Sequence, residues 1–584
     1  MNILYIVIIV GGSGIVLWTI FSIAYLTLAT TNFKKKTAKM TWKQWFKASF
    51  LDNFAQKKIL YLIALATFNI AMSTIAFIFA SQRAIFITLI CLKSKDIIMA
   101  IVQVIHSIYF IIKVKILRKQ PKPIKIAKRN IISLIPIYSE PKDQIDVTTK
   151  SIIANKIGDH ENLICMVCDG IDVNVEDDLT EVLYSAHEPY YSWKFEENTL
   201  HITYGKIDKT PCIIIKKQKN MGKKDTLILG HDLFNQPRTN LNGMNKILRD
   251  VVRRNILQFY GMDTFEYIFC TDADSDISNE SFVDLIETIE RNNAVAACGL
   301  VVIDFNGHNW KFWNLFQNFQ YLYGQYIRRA TENLYGKVSC LPGCITMFKV
   351  SEVASKAICM YSTLPKEHEM LKSIVQLLGT DRRLTASFLY QGKDVITKYD
   401  PRAKCLTIPP DKLKAYVSQR RRWGSNALFN TMCNVIAPNI HPFMRFFGTL
   451  DIIRMSLAYF RVFNTILFVF SLKDGVDLID LAPFLTIMMF PTTYFMLQAL
   501  FSGFLRKMYH KLLIGYVFNK LFSIVLTIMV LSNVFWNVGS VKWGGNQKEV
   551  VQEEKIEVVI EGEDKASEKL AKEILDDMLN CMFR

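Results

Sequence analysis

Long apolar runs occupy both ends of the chain and leave a largely polar stretch between them. A helix needs about 20 apolar residues to cross the hydrocarbon core of a bilayer, and five runs are long enough. They lie at about 3–28, 59–80, 96–114, 446–472 and 481–503. A shorter run, at 84–92, is too brief to cross alone. The pattern predicts a multi-pass helical membrane protein whose main polar region begins near residue 115.

Another apolar run, at about 512–535, allows more than one placement. It follows a basic stretch and contains Asn519 and Lys520. A lysine at mid-bilayer costs about 2.5–3.5 kcal/mol on insertion scales, so an interfacial or re-entrant helix competes with a full span. The apolar pattern leaves these alternatives open.

Basic residues cluster beside the apolar runs and set the expected orientation. One cluster lies between residues 34 and 47 and another between 113 and 129, the pattern of cytoplasmic flanks that face anionic lipid. Three N-terminal spans then place everything after residue 115 in the cytosol. The formal charge of +17 is therefore attributed to the bilayer and not to nucleic acid. The twelve cysteines show no paired spacing, which predicts reduced thiols.

Four short apolar segments of the polar region have the length and composition of buried strands. They cover 131–135, 163–167, 211–216 and 267–270. Helical stretches separate them, and this alternation predicts an α/β sheet. Such sheets bind ligands beyond the carboxyl ends of their strands, where polar residues recur in this sequence.

Two carboxylates follow the fourth of these strands. Asp272 and Asp274 flank one alanine, so both can converge on one divalent cation that takes up the charge of a diphosphate leaving group. The alternative is an acidic turn that caps a helix, because Asp276 follows directly. The spacing alone does not decide between them.

Other polar residues near the strand ends also have two interpretations. Asp169 with Gly170 fits a ligand contact or a simple turn. Lys223 and Lys224 fit a phosphate contact or a solvated surface. Asp381 precedes two arginines, so it is either a general base in the cleft or one partner of a structural salt bridge.

Three consecutive arginines precede Trp423 at the edge of the C-terminal apolar region. Such a run is typical of a positive-inside membrane anchor. It is also suited to an anionic ligand, because guanidinium groups bind diphosphate in a bidentate manner. The Trp423 ring offers an apolar face to a sugar, with core packing as the alternative.

Taken in order, seven motifs resemble those of chitin synthases. They are Asp169–Gly170, NMGKKD from Asn220, DAD from Asp272, QNFQY from Gln317, CLPGC from Cys340, GTDR from Gly379 and QRRRW from Gln419. Chitin synthases are processive family-two membrane glycosyltransferases, as are hyaluronan and cellulose synthases. The resemblance covers roughly residues 131–546, and several motifs in order are far more specific than any one alone.

The resemblance implies an α/β GT-A (Rossmann-like) cytosolic glycosyltransferase domain embedded in a multi-pass α-helical membrane protein. The implied regions are an N-terminal transmembrane part (1–114), the catalytic domain (115–410), an interfacial helix region with QRRRW (411–440), a C-terminal transmembrane and re-entrant or interfacial channel region (441–547) and a soluble charged tail (548–584). The implied reaction polymerises N-acetylglucosamine from UDP-N-acetylglucosamine into β-1,4-linked chitin, with inversion, and passes the chain across the membrane.

The resemblance also implies a role for each matched residue. Asp381 would be the general base that takes the proton of the acceptor hydroxyl. The donor would be bound by Glu140, Asp169, Lys223, Asp272 and Asp274, and the last two would hold Mg²⁺ or Mn²⁺. The acceptor end and pyrophosphate would be bound by Cys340, Pro342, Gly343, Gln419, Arg422, Trp423 and Trp543. Arg420 and Arg421 need do no more than face lipid phosphates.

The expected partners are UDP-N-acetylglucosamine, the growing chitin chain and the lipid bilayer, without nucleic acid. We expect the plasma membrane as the location. Few helices follow the QRRRW motif, so extra N-terminal spans or the second protomer of a homodimer are alternatives for walling the channel.

The sequence departs from the chitin synthase pattern in two places. Thr380 replaces the glutamate of the usual GEDR motif, which bears on how Asp381 is oriented, and the late SWGT-type motif appears only partly around Trp543. A hyaluronan synthase or another processive synthase is the alternative enzyme, although QRRRW and CLPGC favour chitin. A transporter or scaffold with a non-catalytic domain would leave the ordered carboxylates unexplained.

Overall fold

A ten-stranded mixed sheet forms the centre of the polar region. The computed structural model describes residues 13–23, 25, 54–79, 81–116, 124, 126–170, 174–364, 370–473, 475 and 477–537. The strands are β1 (Asn130–Ile137), β2 (Glu161–Asp169), β3 (Glu181–Tyr191), β4 (Glu197–Ile207), β5 (Thr210–Lys217), β6 (Tyr267–Cys270), β7 (Ser275–Ile277), β8 (Ala296–Ile303), β9 (Thr346–Lys349) and β10 (Thr397–Thr407). Their order across the sheet is β3-β4-β5-β2-β1-β6-β9-β8-β10-β7.

The four strands expected from the sequence are β1, β2, β5 and β6, and they lie side by side. β2 pairs in parallel with both β5 and β1, and β1 pairs in parallel with β6. Eight of the nine residues of β2 are buried, as expected for a strand covered on both faces. The carboxyl ends of these strands therefore meet at one edge of the sheet, and the prediction of an α/β domain is confirmed.

Helices surround the sheet and form the apolar ends of the chain. They are α1 (Ser13–Ile23), α2 (Phe54–Phe79), α3 (Gln82–Leu92), α4 (Ser94–Ile111), α5 (Lys142–Ile153), α6 (Lys223–Phe234), α7 (Gly243–Tyr260), α8 (Ser281–Asn292), α9 (Phe312–Tyr323), α10 (Ala330–Leu334), α11 (Glu352–Tyr361), α12 (Met370–Leu378), α13 (Asp381–Leu389), α14 (Leu413–Ile436), α15 (Pro442–Ser456), α16 (Ala458–Ser471), α17 (Leu478–Phe501), α18 (Gly503–Arg506) and α19 (Tyr509–Trp536). A π-helical turn, Gly324–Arg329, joins α9 to α10.

Four of the described helices, α2, α4, α17 and α19, are long and apolar enough to cross a membrane. The first three match the runs predicted at 59–80, 96–114 and 481–503. Of the first predicted span, the structure describes α1 and residue 25. The basic cluster at 34–47, Trp543 and the tail at 548–584 lie outside the described residues.

The run at 446–472, predicted as one span, is bent in the structure, and its crossing as a single span stays a prediction. It belongs to α15 and α16, which meet at Leu457 with a bend of 68°. A break leaves backbone groups without helical partners, and Asn69 of α2 satisfies two of them. Its Nδ2 donates to the Ser456 carbonyl at 2.9 Å, and its Oδ1 accepts from the Phe460 amide at 3.1 Å. A side chain almost 400 positions away thus supports the bend, which local hydropathy does not reveal.

We expect Asn69→Leu to destabilise the folded protein. The substitution removes both bonds at the bend and leaves a buried carbonyl and a buried amide unsatisfied, at a cost of about 1–3 kcal/mol each. Thermal unfolding in detergent, followed by size-exclusion chromatography, should show a clear drop in midpoint. Ser73→Ala, one helical turn further along α2, is the matched control. Equal midpoints for Asn69→Leu and this control would contradict the role of Asn69.

The N-terminal helices pack directly on the polar domain. α3 and α4 are separated only by Lys93, so the run at 84–92 is joined to the following one. Asp96 in the first turn of α4 forms a bidentate pair with Arg328 of the π-helical turn, at 2.8 and 2.9 Å. The neighbouring Lys95 pairs with Asp451 of α15. Thr331 of α10 donates to the Met99 carbonyl at 3.2 Å, so α4 is attached to both the domain and α15.

The last described helix, α19, is continuous over 28 residues. A re-entrant segment would turn back within the membrane, and this helix contains no break. Gly515 lies against α9 so closely that an added Cβ would come within 2.3 Å of the Leu315 carbonyl oxygen. Farther along, Val534 lies against Gly424 of α14. α19 therefore packs on two helices of the polar region, and its interfacial placement stays a prediction.

Candidate active site

The residues expected to bind a ligand follow the carboxyl ends of the four parallel strands. Glu140 lies three residues after β1, and Asp169 is the last residue of β2. Lys223 begins α6 shortly after β5. Asp272 and Asp274 follow β6 directly. The sheet order β5-β2-β1-β6 therefore collects all of these side chains at one edge.

Asp272 and Asp381 lie on either side of Lys223. The Lys223 ammonium forms a short ion pair with Asp272. A Cβ atom placed on Gly343 would lie 2.7 Å from Lys223 Nζ and 3.0 Å from Asp381 Oδ1, so the three groups meet at this glycine. Burial lowers the pKa of Lys223, but the carboxylates of Asp272 and Asp381 outweigh burial and raise it above the usual lysine value. Lys223 is therefore a fixed positive charge between two acids.

The CLPGC loop holds Asp381 in place. The Gly343 amide donates to Asp381 Oδ2 at 2.9 Å. The Leu341 amide donates to the Thr385 hydroxyl at 3.0 Å, and that hydroxyl donates to the Asp381 carbonyl. Asp381 is also the first residue of α13, where the helix dipole favours a negative charge by about 0.3–1 kcal/mol. The loop and the helix thus fix one of the two carboxylate oxygens, Oδ2.

The surroundings of Asp274 disfavour the ionised form of its carboxyl group. Burial, and next the neighbouring Asp272, raise its pKa to about 6, while Lys223 opposes this and Glu140 adds to it. Glu140 is itself fixed, because its Oε2 accepts from the amides of Tyr138 at 2.7 Å and Ser139 at 3.1 Å. A bound cation would offset the negative charge of the carboxylates around Asp274.

The donor set fits a divalent cation held jointly by protein and ligand. Oxygen ligands suit Mg²⁺ and Mn²⁺, and such ions are commonly bound through one or two carboxylates plus substrate phosphates. The described residues contain no group of three metal-type side chains. Asp272 and Asp274 would therefore supply the protein ligands, and a diphosphate and water would complete the shell.

The raised pKa of Asp274 predicts that cation binding weakens at low pH. A cation binds the ionised carboxylate, and below pH 6 the metal-free protein increasingly holds a proton there. The affinity for Mn²⁺ should therefore fall about tenfold between pH 7 and pH 5. Electron paramagnetic resonance of free Mn²⁺ over the purified protein measures this directly. An affinity that is flat over this range would show that Asp274 does not bind the ion.

Asp169 is buried at the end of β2 and held by its surroundings. Its Oδ1 accepts from the Met221 amide at 2.9 Å and lies 3.3 Å from Lys217 Nζ. The following Gly170 has a φ of +70°, and an added Cβ would come within 2.6 Å of the Asn220 amide nitrogen. The close approach of the two loops requires glycine at this position, which places Asp169 against the NMGKKD motif.

Lys224 is neither a phosphate contact nor part of a solvated surface, so both sequence interpretations of it are wrong. Its ammonium donates to the Gln376 carbonyl at 2.8 Å and lies over the rings of Trp193 and Tyr361, at 4.2 and 4.7 Å from their centroids. Burial, and next the charge of Arg383, hold the pKa of Lys224 well below its usual value. The residue anchors α6 to the helix that leads into Asp381.

The QRRRW motif lies on α14 and meets the QNFQY motif of α9. The Arg420 guanidinium lies over three rings, at 4.4 Å from Trp423, 5.1 Å from Tyr416 and 5.2 Å from Tyr321. The expectation that Arg420 only faces lipid phosphates is therefore wrong, because it is built into an aromatic cluster. Trp423 remains 42% exposed, and its ring centroid lies 5.8 Å from that of Tyr321.

Tyr321 connects the two halves of the site. Burial raises its pKa to about 12, and the charges that act on it include Arg420 on one side and Asp274 on the other. On α14, the buried Gln419 Oε1 has no hydrogen-bond partner among the described residues. An unsatisfied buried acceptor beside an exposed tryptophan is suited to a hydroxylated ligand.

The structure thus brings several of the expected residues together at one edge of the sheet. Lys223, Asp272, Gly343 and Asp381 are in contact, and Asp274 is adjacent. The CLPGC loop, which holds Cys340, Pro342 and Gly343, is tied down at two carbonyls. The Thr271 hydroxyl donates to the Cys344 carbonyl at 2.9 Å, and the Thr346 hydroxyl donates to the Pro342 carbonyl at 2.6 Å. Arg422 lies on α14 with Gln419 and Trp423, whereas Trp543 is outside the described residues. The sequence interpretation missed Arg420, Tyr321 and Lys217.

The family model and the similar proteins point to the same family. A family model described as "Chitin synthase" matches residues 188–573. Chitin synthase 8 of Gibberella zeae is 26% identical over 563 residues, with 90% of this chain and 83% of the relative covered. Chitin synthase 6 of Mycosarcoma maydis is 25% identical over 479 residues, with 74% of this chain covered, and the chain spans only 39% of that relative's length.

Among solved structures, the mannosyltransferase PcManGT of Pyrobaculum calidifontis, in complex with GDP-Man and Mn2+, is 10% identical with a TM-score of 0.40. The match covers 78% of this chain and 99% of the mannosyltransferase, and a similarity this low carries no argument about ligands. The family match spans more than half of the chain and includes Asp272, Asp274, Asp381 and the QRRRW helix. The protein is therefore a membrane glycosyltransferase, and it belongs to the chitin synthase family.

Proposed function

We propose that this chain is a processive, inverting glycosyltransferase that polymerises N-acetylglucosamine from UDP-N-acetylglucosamine into β-1,4-linked chitin. Its catalytic domain would face the cytosol, and the polymer would pass outward across the plasma membrane. The observation that carries the proposal is the meeting of Asp272, Lys223 and Asp381 around Gly343, below a helix that presents Trp423. Donor, base and acceptor positions are then adjacent.

The donor end of the proposed site uses the strand ends. Uridine would lie against Asp169, with Glu140 nearby, and the diphosphate would lie between Asp274 and Lys223. Asp272 and Asp274 would hold Mg²⁺ or Mn²⁺, which supplies compensation for the charge that develops on the leaving diphosphate. The Lys223 ammonium is already fixed beside that position, so it stabilises the same charge without rearrangement.

The transfer step assigns the base to Asp381. The acceptor hydroxyl oxygen attacks the anomeric carbon while the bond to UDP breaks, and the hydroxyl proton moves to the Asp381 carboxylate. Because Gly343 and α13 fix this carboxylate, its effect comes from position more than from basicity. Attack opposite to the leaving group inverts the anomeric carbon.

The acceptor end of the proposed site uses α14. The exposed face of Trp423 would stack on the last sugar of the polymer, and Gln419 Oε1 would accept from a sugar hydroxyl. Arg420 holds Trp423 in position through the aromatic cluster, while Arg422 would reach the pyrophosphate. α14 is followed by α15 and α16, the bent pair that begins the C-terminal apolar region. A polymer leaving Trp423 would therefore be close to the bilayer.

The choice of sugar nucleotide tests this proposal against its main alternative. Purified protein is incubated with UDP-N-acetylglucosamine alone, and then with UDP-glucuronate added. We expect an insoluble product from the first donor alone, degraded by chitinase and resistant to hyaluronidase. A product that forms only when UDP-glucuronate is present would assign a hyaluronan synthase instead. No UDP release from either donor would favour a transporter or scaffold.

A further inference from the structure

Lys217 is a fully buried cation placed between two buried acids. It is the last residue of β5, and its side chain is 0% exposed. Its ammonium lies 2.7 Å from Asp225 Oδ2 and 3.3 Å from Asp169 Oδ1, and it donates to the Thr226 hydroxyl at 2.8 Å. Neither the donor site nor the acceptor site described above uses this lysine. A buried charge of this kind needs a reason, because desolvating it is costly.

The contacts of the two acids are unequal. Asp225 also accepts from the Tyr190 hydroxyl and from the Trp193 amide, each at 2.9 Å. Among the residues that the structure describes, Asp169 has one further donor, the Met221 amide, and both of these contacts go to Oδ1. Oδ2 is therefore the oxygen that Asp169 can offer to a ligand. Its orientation depends on the two groups that hold Oδ1.

We propose that Lys217 is a positioning residue that holds Asp169 oriented to accept the N3–H of uracil, and thereby sets the preference for uracil nucleotides over cytosine nucleotides. The inference rests on the proposed function, which places uridine at Asp169. Uracil carries a hydrogen on N3, whereas cytosine presents a lone pair there. An ionised carboxylate accepts from the first and repels the second.

The charge balance explains why the lysine matters. The groups that face Asp169 are Lys217 from β5, Asp225 from α6, Tyr190 from β3 and Cys168 from its own strand. Without Lys217, the buried carboxylates of Asp169 and Asp225 would repel each other with no ammonium between them. The Tyr190 hydroxyl and the Trp193 amide would still hold Asp225, whereas Asp169 would keep only the Met221 amide, so Asp169 would turn away. A carboxylate turned away from N3 no longer accepts from uracil or repels cytosine.

The test measures base preference in the full-length protein. Dissociation constants for UDP and CDP are determined by calorimetry in detergent, for the wild type and for Lys217→Met. We expect the affinity for UDP to fall by about 10- to 100-fold, the range of one hydrogen bond to a charged group, and the affinity for CDP to stay or improve. Lys216→Met is the matched control. Lys216 is the adjacent residue of β5, pairs with Glu176 at 2.7 Å and is partly exposed, so it should keep the wild-type preference.

A second substitution separates positioning from folding. Lys217→Met/Asp225→Asn removes one positive and one negative charge, so no second carboxylate repels Asp169 and the preference for UDP should largely return. Asp225→Asn alone leaves Lys217 facing only Asp169 and should keep the preference. Asp225→Asn also tests the inference if Lys217→Met does not fold. A wild-type UDP/CDP ratio in Lys217→Met, no return in the double variant, or a lost preference in Asp225→Asn would overturn the inference.

Asp169→Asn distinguishes this inference from the proposed function itself. If Asp169→Asn keeps the preference for UDP, then uridine does not lie at Asp169 and the proposed donor site is wrong. If Asp169→Asn loses the preference while Lys217→Met keeps it, the donor site stands and only the role of Lys217 fails. Loss of the preference in both variants supports both.

Discussion

Asp381→Asn should abolish polymer synthesis while leaving UDP binding largely intact. The asparagine side chain has nearly the same shape, and its carbonyl oxygen can still accept from the Gly343 amide, so the loop and α13 should keep their positions. It cannot take up the proton of the acceptor hydroxyl. Loss of a general base lowers turnover by about 10²- to 10⁴-fold. Release of UDP from UDP-N-acetylglucosamine, together with calorimetry of UDP, gives both quantities.

The same experiment has a clear control and a clear contradiction. Asp394→Asn changes an exposed carboxylate in the turn before β10 and should leave turnover unchanged. If Asp381→Asn weakens UDP binding as strongly as it slows turnover, Asp381 would be a donor ligand or a structural partner of Lys223. The proposed division between base and donor site would then be wrong.

Asp274→Asn should remove the dependence of donor binding on a divalent cation. Asp274 is the carboxylate whose environment most favours a cation, since its pKa is raised to about 6 by burial and by Asp272. An amide relieves the excess negative charge and removes a strong metal ligand. We expect turnover to fall on the order of 10²-fold or more, because compensation of the leaving-group charge is lost. Calorimetric titrations with UDP, with and without Mn²⁺, measure the binding part.

Chelation tests the assignment of the metal independently. EDTA should lower UDP affinity in the wild type and should have little further effect on Asp274→Asn, because both changes remove the same contribution. Asp276→Asn, two residues further along on β7, is the matched control and should respond to EDTA as the wild type does. Full additivity of chelation and Asp274→Asn would place the metal elsewhere.

The α/β core could be predicted because its signals are local. Each of β1, β2, β5 and β6 is a short apolar run followed by a polar end, and parallel strands buried on both faces have this composition. The rule that ligands lie at carboxyl ends then brought Asp169, Asp272 and Asp274 to one edge. The ambiguity of single motifs was resolved by their order along the chain.

The features that could not be predicted depend on contacts between distant parts of the chain. Asn69 supports a bend at Leu457, and Asp96 pairs with Arg328 across 232 positions. Hydropathy identifies the apolar runs that contain Asn69, Asp96 and Leu457 but gives no sign of these contacts. Arg420 looks like a lipid-facing arginine until Tyr321 is brought beside it from α9. Lys217 belongs to a strand whose sequence gives no sign that its ammonium lies between two acids.

We propose that the site around Gly343 polymerises one sugar from one nucleotide donor. The most direct measurement is a single incubation of purified protein with UDP-N-acetylglucosamine and Mn²⁺ or Mg²⁺, in which released UDP and chitinase-sensitive insoluble sugar are both counted. We expect one UDP for each sugar in the polymer, with both quantities lost in Asp381→Asn. UDP release without polymer, or polymer formation that survives Asp381→Asn, would contradict it.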